Sequence, residues 1–246
     1  MAPVKGTSSA ILVDEFIFSG ATSRAEVQFT LDELDSTNID SSAMEYIAGL
    51  KSMSISQNGY FTGGDANGVA DELHDRLGVN GAIVTYLPLK NTNGSPAYTI
   101  PDAFNSNLPI SAEASSIITM NGQWSASEGG KRGLLIAYNL ELTATGNQTA
   151  IDFASAGSAG GYAYLHVHSI DDDEDGTSTD TILKVQSSSD NSTFADEATF
   201  TFSATGGFSA ALSGTVNRYI RLSTTDLGGA TSLKVTLIVV VENVTM

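Results

Sequence analysis

The 246-residue chain contains no cysteine. That one absence excludes disulfides, thiolate metal sites, cysteine nucleophiles and thiol redox chemistry, and it leaves the redox compartment unreadable. Basic residues are also scarce: 11 Lys and Arg stand against 28 Asp and Glu, for a formal net charge of -17. The deficit is even, -9 through Thr143 and -8 beyond it. A surface of that sign repels phosphate, so binding of nucleic acid through counterion release is disfavoured, as is attachment to anionic membranes. Apolar runs are short as well. Leu237–Val241 holds five residues, far fewer than a bilayer-spanning helix needs, and the N-terminal Met1-Ala2-Pro3-Val4-Lys5-Gly6 lacks the layout of a secretory signal. The expectation is a protein made in the cytoplasm and soluble until it assembles.

What is present points to β structure. Hydrophobic residues make up 41% of the chain and charged ones 16%, with 24 Gly, 5 Pro and much Ser and Thr, the profile of a folded, turn-rich protein. Period-two alternation dominates. Ala25, Val27, Phe29 and Leu31 fall on one face and Arg24, Glu26, Gln28 and Thr30 on the other, which predicts a half-buried strand. Met53 and Ile55 among serines repeat the pattern, as do Ile118, Met120 and Trp124, and Leu134–Leu142 reads as a more apolar strand.

One stretch departs from it. Val69, Leu73 and Leu77 recur at helical spacing behind Asp65 or Asn67 as cap, with Glu72 placed to pair with Arg76 and Gly78 as a stop, which predicts a short amphipathic helix. A second helical turn is expected over Ser42–Ile47. Between Thr143 and Ala159 the composition shifts to Thr, Ala, Gly and Ser, which sets a domain boundary near 145, giving domains 1–144 and 145–246. Beyond it strands are expected near Tyr162–Ile170, Ile182–Ser187, Ala198–Ala204, Arg218–Ser223 and Leu233–Val241, at the spacing of a β-sandwich. The fold class is therefore mainly β with one short α-helix.

Asp171-Asp172-Asp173-Glu174-Asp175-Gly176 opens like a calcium loop, with Asp at positions one, three and five followed by Gly. Position twelve is Ile182 and the flanks read as strands, so the closing bidentate ligand is missing and a solvated acidic loop is the favoured reading, with calcium left open. His166 and His168 share a strand face with Tyr162 and Tyr164, a spacing that suits zinc. The only further His is His74, in the predicted helix, so a polar outward face is the expectation. Neither Gly-x-Ser-x-Gly nor a P-loop occurs; Gly129-Gly130-Lys131-Arg132 lacks the flanking residues of the latter. The pairs Asp14-Glu15, Asp32-Glu33 and Asp71-Glu72 are sequence neighbours of the kind an acidic surface carries. Tyr46, Tyr60, Phe61, Trp124, Phe200 and Phe202 could form a carbohydrate platform, but most fall at buried-face positions, for which core packing is the default. The reading is of a non-enzyme with no catalytic, cofactor or metal residues.

The segment Glu45–Phe61, with Gly49-Leu50-Lys51 leading through the alternating Ser52-Met53-Ser54-Ile55-Ser56 to Gly59-Tyr60-Phe61, then a helix over Asp65–Gly78 and a short strand Ala82–Leu87, resembles the hallmark of siphophage major tail proteins. Gly160–Val167, Lys184–Phe194 and Gly214–Arg221 resemble the C-terminal domain attached to many of them. Ser36–Asp40 departs from the family's Thr-Thr-Phe-Gly, and Asp171–Gly176 reads as an insertion. The resemblance implies a tail-tube β-barrel or sandwich over 1–144, a C-terminal β-sandwich outside the tube, and self-association into rings that stack through extended loops. Partners would be other copies, other tail proteins, and viral DNA passing without specific binding along an acidic lumen; the place would be the virion tail, assembled in the host cytoplasm. The loop Leu31–Met44 is expected to order only against a neighbour. Rival expectations are a capsid decoration or head-to-tail joining protein, and a carbohydrate-binding module.

Overall fold

The computed structural model describes residues 5–39, 42–61, 69–126, 129–172 and 179–242. In chain order the strands and the one α-helix among the described residues are β1 (Ala10–Val13), β2 (Phe16–Ile17), β3 (Thr22–Asp35), β4 (Tyr46–Tyr60), α1 (Val69–Asp75), β5 (Ala82–Leu87), β6 (Pro96–Asn107), β7 (Ile110–Ser111), β8 (Thr119–Ala126), β9 (Lys131–Leu142), β10 (Gly146–Asn147), β11 (Ile151–Asp152), β12 (Gly161–Asp172), β13 (Thr181–Ser188), β14 (Ala195–Phe202), β15 (Gly206–Leu212), β16 (Tyr219–Asp226) and β17 (Ala230–Val241). The predicted strands and the helix over Val69–Asp75 are present. No helix among the described residues is long and apolar enough to cross a membrane.

The chain divides into two compact units. Unit 1 comprises Met1–Gly20, Ala82–Pro101 and Lys131–Met246; unit 2 comprises Ala21–Gly81 and Asp102–Gly130. This partition differs from a division at residue 145, because β9, before that point, pairs with β17, after it, in register from Leu142 opposite Leu233 to Leu134 opposite Val239. A composition shift marks a loop, but hydrogen-bonded partners decide which residues fold together.

Unit 1 is a sandwich. Its larger sheet runs β15-β12-β17-β9-β6-β5-β1-β2, and the smaller one sets β16 beside β13 and β13 beside β14, with β10 and β11 on the far side of β16. Between them lies a core that includes Leu165 and Val167 from β12, Leu183 and Val185 from β13, and Leu222 from β16. The opposite face of β12 and β17 is buried too: Tyr164, Ile238 and Val240 pack with Leu12, Ile83 and Leu87. Strands covered on both faces lose the alternation of a half-solvated sheet, which accounts for the continuous apolar run at Leu237–Val241. The large sheet curls enough for Thr85 on β5 to reach His166 on β12, yet it does not close into a barrel. Strand β15, which pairs with β12, was not among the expected strands; its sequence, Gly206-Gly207-Phe208-Ser209-Ala210-Ala211-Leu212, has too few large residues to display an alternation. Gly161 sits where an added Cβ would run into the Val240 carbonyl oxygen of the paired strand. Gly161→Ala is therefore expected to destabilise the protein by about 3 kcal/mol, read as a lower urea midpoint at unchanged slope.

Unit 2 is a smaller sheet with one helix against it. Strand β4 pairs with β3 on one side and β8 on the other, and β8 also pairs with β7 and with the second half of β6. Ile55, Met120 and Trp124 are buried, as is Leu73 of α1. A Cβ added at Gly122 would lie 2.6 Å from the Leu73 side chain, so the glycine lets the helix approach the sheet. Arg76 pairs with Glu72 at 2.9 Å, as the i,i+4 spacing predicts, and Asn105 donates from Nδ2 to the Leu73 carbonyl at 2.8 Å. The cap candidates Asp65 and Asn67 lie outside the described residues.

Several expectations are corrected. No second helical turn forms over the described part of Ser42–Ile47: Tyr46 and Ile47 open β4, paired with Asp35 and Leu34, because a cross-strand partner supplies hydrogen bonds that a one-turn helix lacks. Strand β3 correspondingly extends through Leu31–Asp35, so the connection is shorter than Leu31–Met44. Asp14 is not an exposed surface carboxylate. It is buried at a positive-φ turn (46°), where its Oδ1 accepts the Ile83 N–H at 2.9 Å.

Candidate assembly surface

The longest strands of unit 2 make a two-stranded ribbon. Strand β8 supports β4 only over Ser54–Tyr60. From Met53 back to Tyr46, β4 has β3 as its only partner, and among the described residues the outer edge of β3 has none. The unsupported part holds six pairs, from Phe29 opposite Met53 to Asp35 opposite Tyr46, and runs for roughly 23 Å along β3.

A register slip shapes it. Leu31 stands opposite Lys51 but Glu33 opposite Ala48, so β4 carries one extra residue at Gly49-Leu50, a β-bulge. At Gly49 an added Cβ would lie 2.9 Å from the Asp32 carbonyl oxygen, which explains why a glycine stands there. The Gly49-Leu50-Lys51 element singled out in the sequence is thus the kink of the ribbon.

Along β3 the predicted half-buried face holds at Ala25 and Val27, between exposed Arg24, Glu26 and Gln28, and fails beyond them. Phe29 and Leu31 on one face are exposed, and Leu34 with its cross-strand partner Ile47 on the other are exposed too. Ile47 is 58% exposed and Leu50 80%. Alternation reports that a face is apolar; the surface that covers it need not belong to the same chain. A ribbon apolar on both faces and open along one edge is a surface that soluble monomers avoid.

At the other end of β4 lies a second apolar surface. Tyr60 pairs with Thr119, the Phe61 N–H donates to the Ile118 carbonyl at 3.0 Å, and Ile110 pairs with Met120. Tyr60, Phe61, Ile110, Ile117 and Ile118 are all exposed. The aromatic residues weighed as a platform therefore separate: Trp124, Phe200 and Phe202 are core, whereas Tyr46, Tyr60 and Phe61 are exposed at the two ends of one strand, a correction to the expectation that most are buried.

His166 and His168 do not face outward. His166 is fully buried, because the face it shares with Tyr164 is covered by β5 and by the turn after β1. Each ring is hydrogen-bonded at both nitrogens: His166 Nδ1 to the Asp14 carbonyl at 2.7 Å and Nε2 to Thr85 Oγ1 at 2.9 Å, His168 Nδ1 to the Glu15 carbonyl at 2.6 Å and Nε2 to Thr236 Oγ1 at 2.8 Å. Burial, and secondarily the charge of His168, pushes the His166 pKa down to about 3; burial lowers that of His168 too. Rings so occupied have no lone pair free for zinc. His74 is exposed on α1, 3.6 Å from Asp75. Among the described residues no group of three or more His, Asp or Glu is placed to hold a metal. Of the acidic loop, Asp171 lies at the end of β12, its carboxylate accepting from Ser232 Oγ at 2.8 Å; Asp173–Gly176 lie outside the described residues. No sequence motif announced the paired apolar ends of β4, although the unbroken alternation from Ala25 to Leu31 was a signal of the ribbon.

No protein-family model matches the chain, and no curated protein does. Among solved structures it is similar to a chain of the virion of a native gene transfer agent particle, at 14% identity and a TM-score of 0.43, covering 53% of this chain and 98% of that one. It is also similar to a chain of the tube-terminating cap of the anti-feeding prophage, at 12% identity and a TM-score of 0.42, covering 55% and 93%. A third is the SPP1 Dit protein of a phage hub adsorption apparatus, at 8% identity and a TM-score of 0.36, covering 94% and 97%.

Proposed function

We propose that this chain is a non-enzymatic structural protein of a phage tail, the major tail tube subunit, and that unit 2 is the part that assembles. The observation that carries the reading is where the exposed large hydrophobic residues fall: among the described residues, 15 of 16 belong to unit 2 and one, Tyr162, to unit 1. Unit 1 satisfies its own apolar surface, whereas unit 2 leaves a ribbon and a patch that need a neighbour. The resemblance of Gly49–Phe61 to siphophage major tail proteins gives that neighbour an identity, other copies of the chain in a ring, and the ribbon occupies the place of that family's inter-subunit loop. Unit 1 would decorate the outside of the tail. A net charge of -17 suits a conduit wall, because phosphate repelled from it does not adhere during ejection.

Concentrated full-length protein, viewed by negative-stain electron microscopy with light scattering on the same sample, is expected to form hollow tubes of uniform width. Single closed rings would instead point to a joining protein, and a strict monomer with sugar affinity to a carbohydrate-binding module.

A further inference from the structure

We propose that Asn80-Gly81 is a self-modification site, at which the chain converts an asparagine into aspartate and isoaspartate through a succinimide ring, with water as the only co-reactant. Four Asn-Gly pairs fall among the described residues: Asn58-Gly59, Asn80-Gly81, Asn93-Gly94 and Asn121-Gly122. A fifth, Asn67-Gly68, lies outside them. A glycine carries no Cβ to shield its own amide nitrogen from the preceding side chain, so the pairs are alike in local sequence. Their surroundings set them apart.

Three of the four are held. Gly59 is buried in β4, opposite Thr22 of β3 and Met120 of β8. Gly122 is buried in β8 opposite Gln57, with the Leu73 side chain packed over it. Asn93 is exposed, but the N–H of its Gly94 donates to the Leu135 carbonyl at 2.7 Å. Ring closure at these pairs must first break backbone contacts, and a conformation reached only by local opening reacts at a rate cut by the opening equilibrium. Asn80 and Gly81 are both exposed and belong to no helix, strand or turn. The Gly81 N–H has no hydrogen-bond partner among the described residues. At its φ of 114° an added Cβ would meet nothing within 4 Å beyond the chain neighbours. The link is short, because each flank is anchored in its own unit: the Gly78 N–H donates to the Asn105 carbonyl at 2.9 Å, and Ala82 is buried at the start of β5.

The chemistry balances. The Gly81 nitrogen attacks Cγ of Asn80 and loses its proton, the Cγ–Nδ2 bond breaks, and Nδ2 leaves as ammonia, which closes the ring. Water then adds at one ring carbonyl and expels the nitrogen from it. Attack at Cγ leaves aspartate; attack at the main-chain carbonyl leaves isoaspartate, linked through the side chain. One water is consumed and one ammonia released. Each event adds a negative charge to a chain already at -17, and isoaspartate also lengthens the connection between α1 and β5 by one methylene.

Full-length protein, kept dilute, is incubated at mildly alkaline pH in heavy-oxygen water and digested in ordinary water. Mass spectrometry then reads the solvent oxygen taken up at each Asn-Gly peptide, and an isoaspartyl methyltransferase confirms the rearranged product. The folded chain is expected to convert Asn80 at least tenfold faster than Asn58, Asn93 or Asn121, whereas the same chain unfolded in urea converts the four at similar rates. Asn80→Gln, whose side chain would have to close a larger ring, keeps the circular dichroism of the parent and loses the fast reaction. Similar rates at the four pairs in the folded chain, or Asn93 in the lead, would overturn the assignment, as would an Asn80 that remains the fastest of the four in urea. None of these outcomes bears on the tail reading, which the electron microscopy decides separately.

Discussion

Ile47→Asp is expected to leave the protein folded and to abolish its assembly. The side chain is 58% exposed and stands opposite Leu34, itself exposed, on the unsupported part of the β3–β4 ribbon. Removing it takes nothing from the core of its own chain, so the unfolding free energy should move by no more than about 0.5 kcal/mol, as for ordinary surface substitutions. In an assembled contact the same position is central, and a carboxylate there would be desolvated without a partner. The cost at a hot-spot position is about 2–4 kcal/mol, which corresponds to a rise of roughly 30-fold to 1000-fold in the concentration at which copies associate. Light scattering against concentration, beside urea unfolding of the same variant, separates the two quantities. A variant that assembles like the parent would remove the ribbon from the interface. A variant that fails to fold would show that Ile47 belongs to a core the exposed position does not suggest.

The same residues show what could be read from sequence and what could not. Alternation in Ala25–Leu31, Met53–Ile55 and Met120–Trp124 identified strands because a period of two is a local property of the backbone. Helix α1 was legible for the same reason, its Leu73 buried and its Glu72 paired with Arg76. The failures concern what lies opposite a face. Phe29 and Leu31 read as half-buried, yet both are exposed; His166 and His168 read as an outward polar pair, yet the turn at Asp14-Glu15, some 150 residues away, supplies both of their carbonyl partners. Tyr46 and Ile47 read as helical because their strand partners, Asp35 and Leu34, belong to a segment with no strong pattern of its own. Partners distant in sequence leave no periodic trace. The bulge glycine is the instructive middle case: Gly49 stood out as the end of an expected helical turn and through a family resemblance, and the close approach of Asp32 supplies its physical reason.

The second large effect concerns those histidines, and its sign follows from geometry. A carbonyl oxygen can only accept, so Nδ1 of His166 must carry the proton that it shares with Asp14, and Nε2 must accept from the Thr85 hydroxyl. Thr85 in turn exchanges a hydrogen bond with Thr99 at 2.9 Å. The ring's other recorded neighbour is His168, which stacks on it with centroids 6.3 Å apart. A second proton on His166 would reside in a buried site, facing an oxygen whose own hydrogen must turn away, beside a ring that repels it when charged. Its folded-state pKa is accordingly about 3, against 6.5 for the unprotected group. Between those values the unfolded chain binds a proton that the folded chain refuses, so stability is complete above pH 6.5 and declines as the pH falls towards 3. At pH 5 the loss attributable to this residue is about 2 kcal/mol, in a window above the titration of ordinary carboxylates. Urea midpoints measured from pH 7.5 to pH 5 should therefore fall steadily in the parent. His166→Gln keeps one donor and one acceptor but has no titrating group, so it should begin less stable and lose distinctly less over the same range, the remainder coming from His168, whose pKa burial also lowers. Parallel curves for the two proteins would mean that His166 titrates alike in the folded and unfolded chain, and the clamp of β12 on the Asp14-Glu15 turn would then contribute nothing to acid sensitivity.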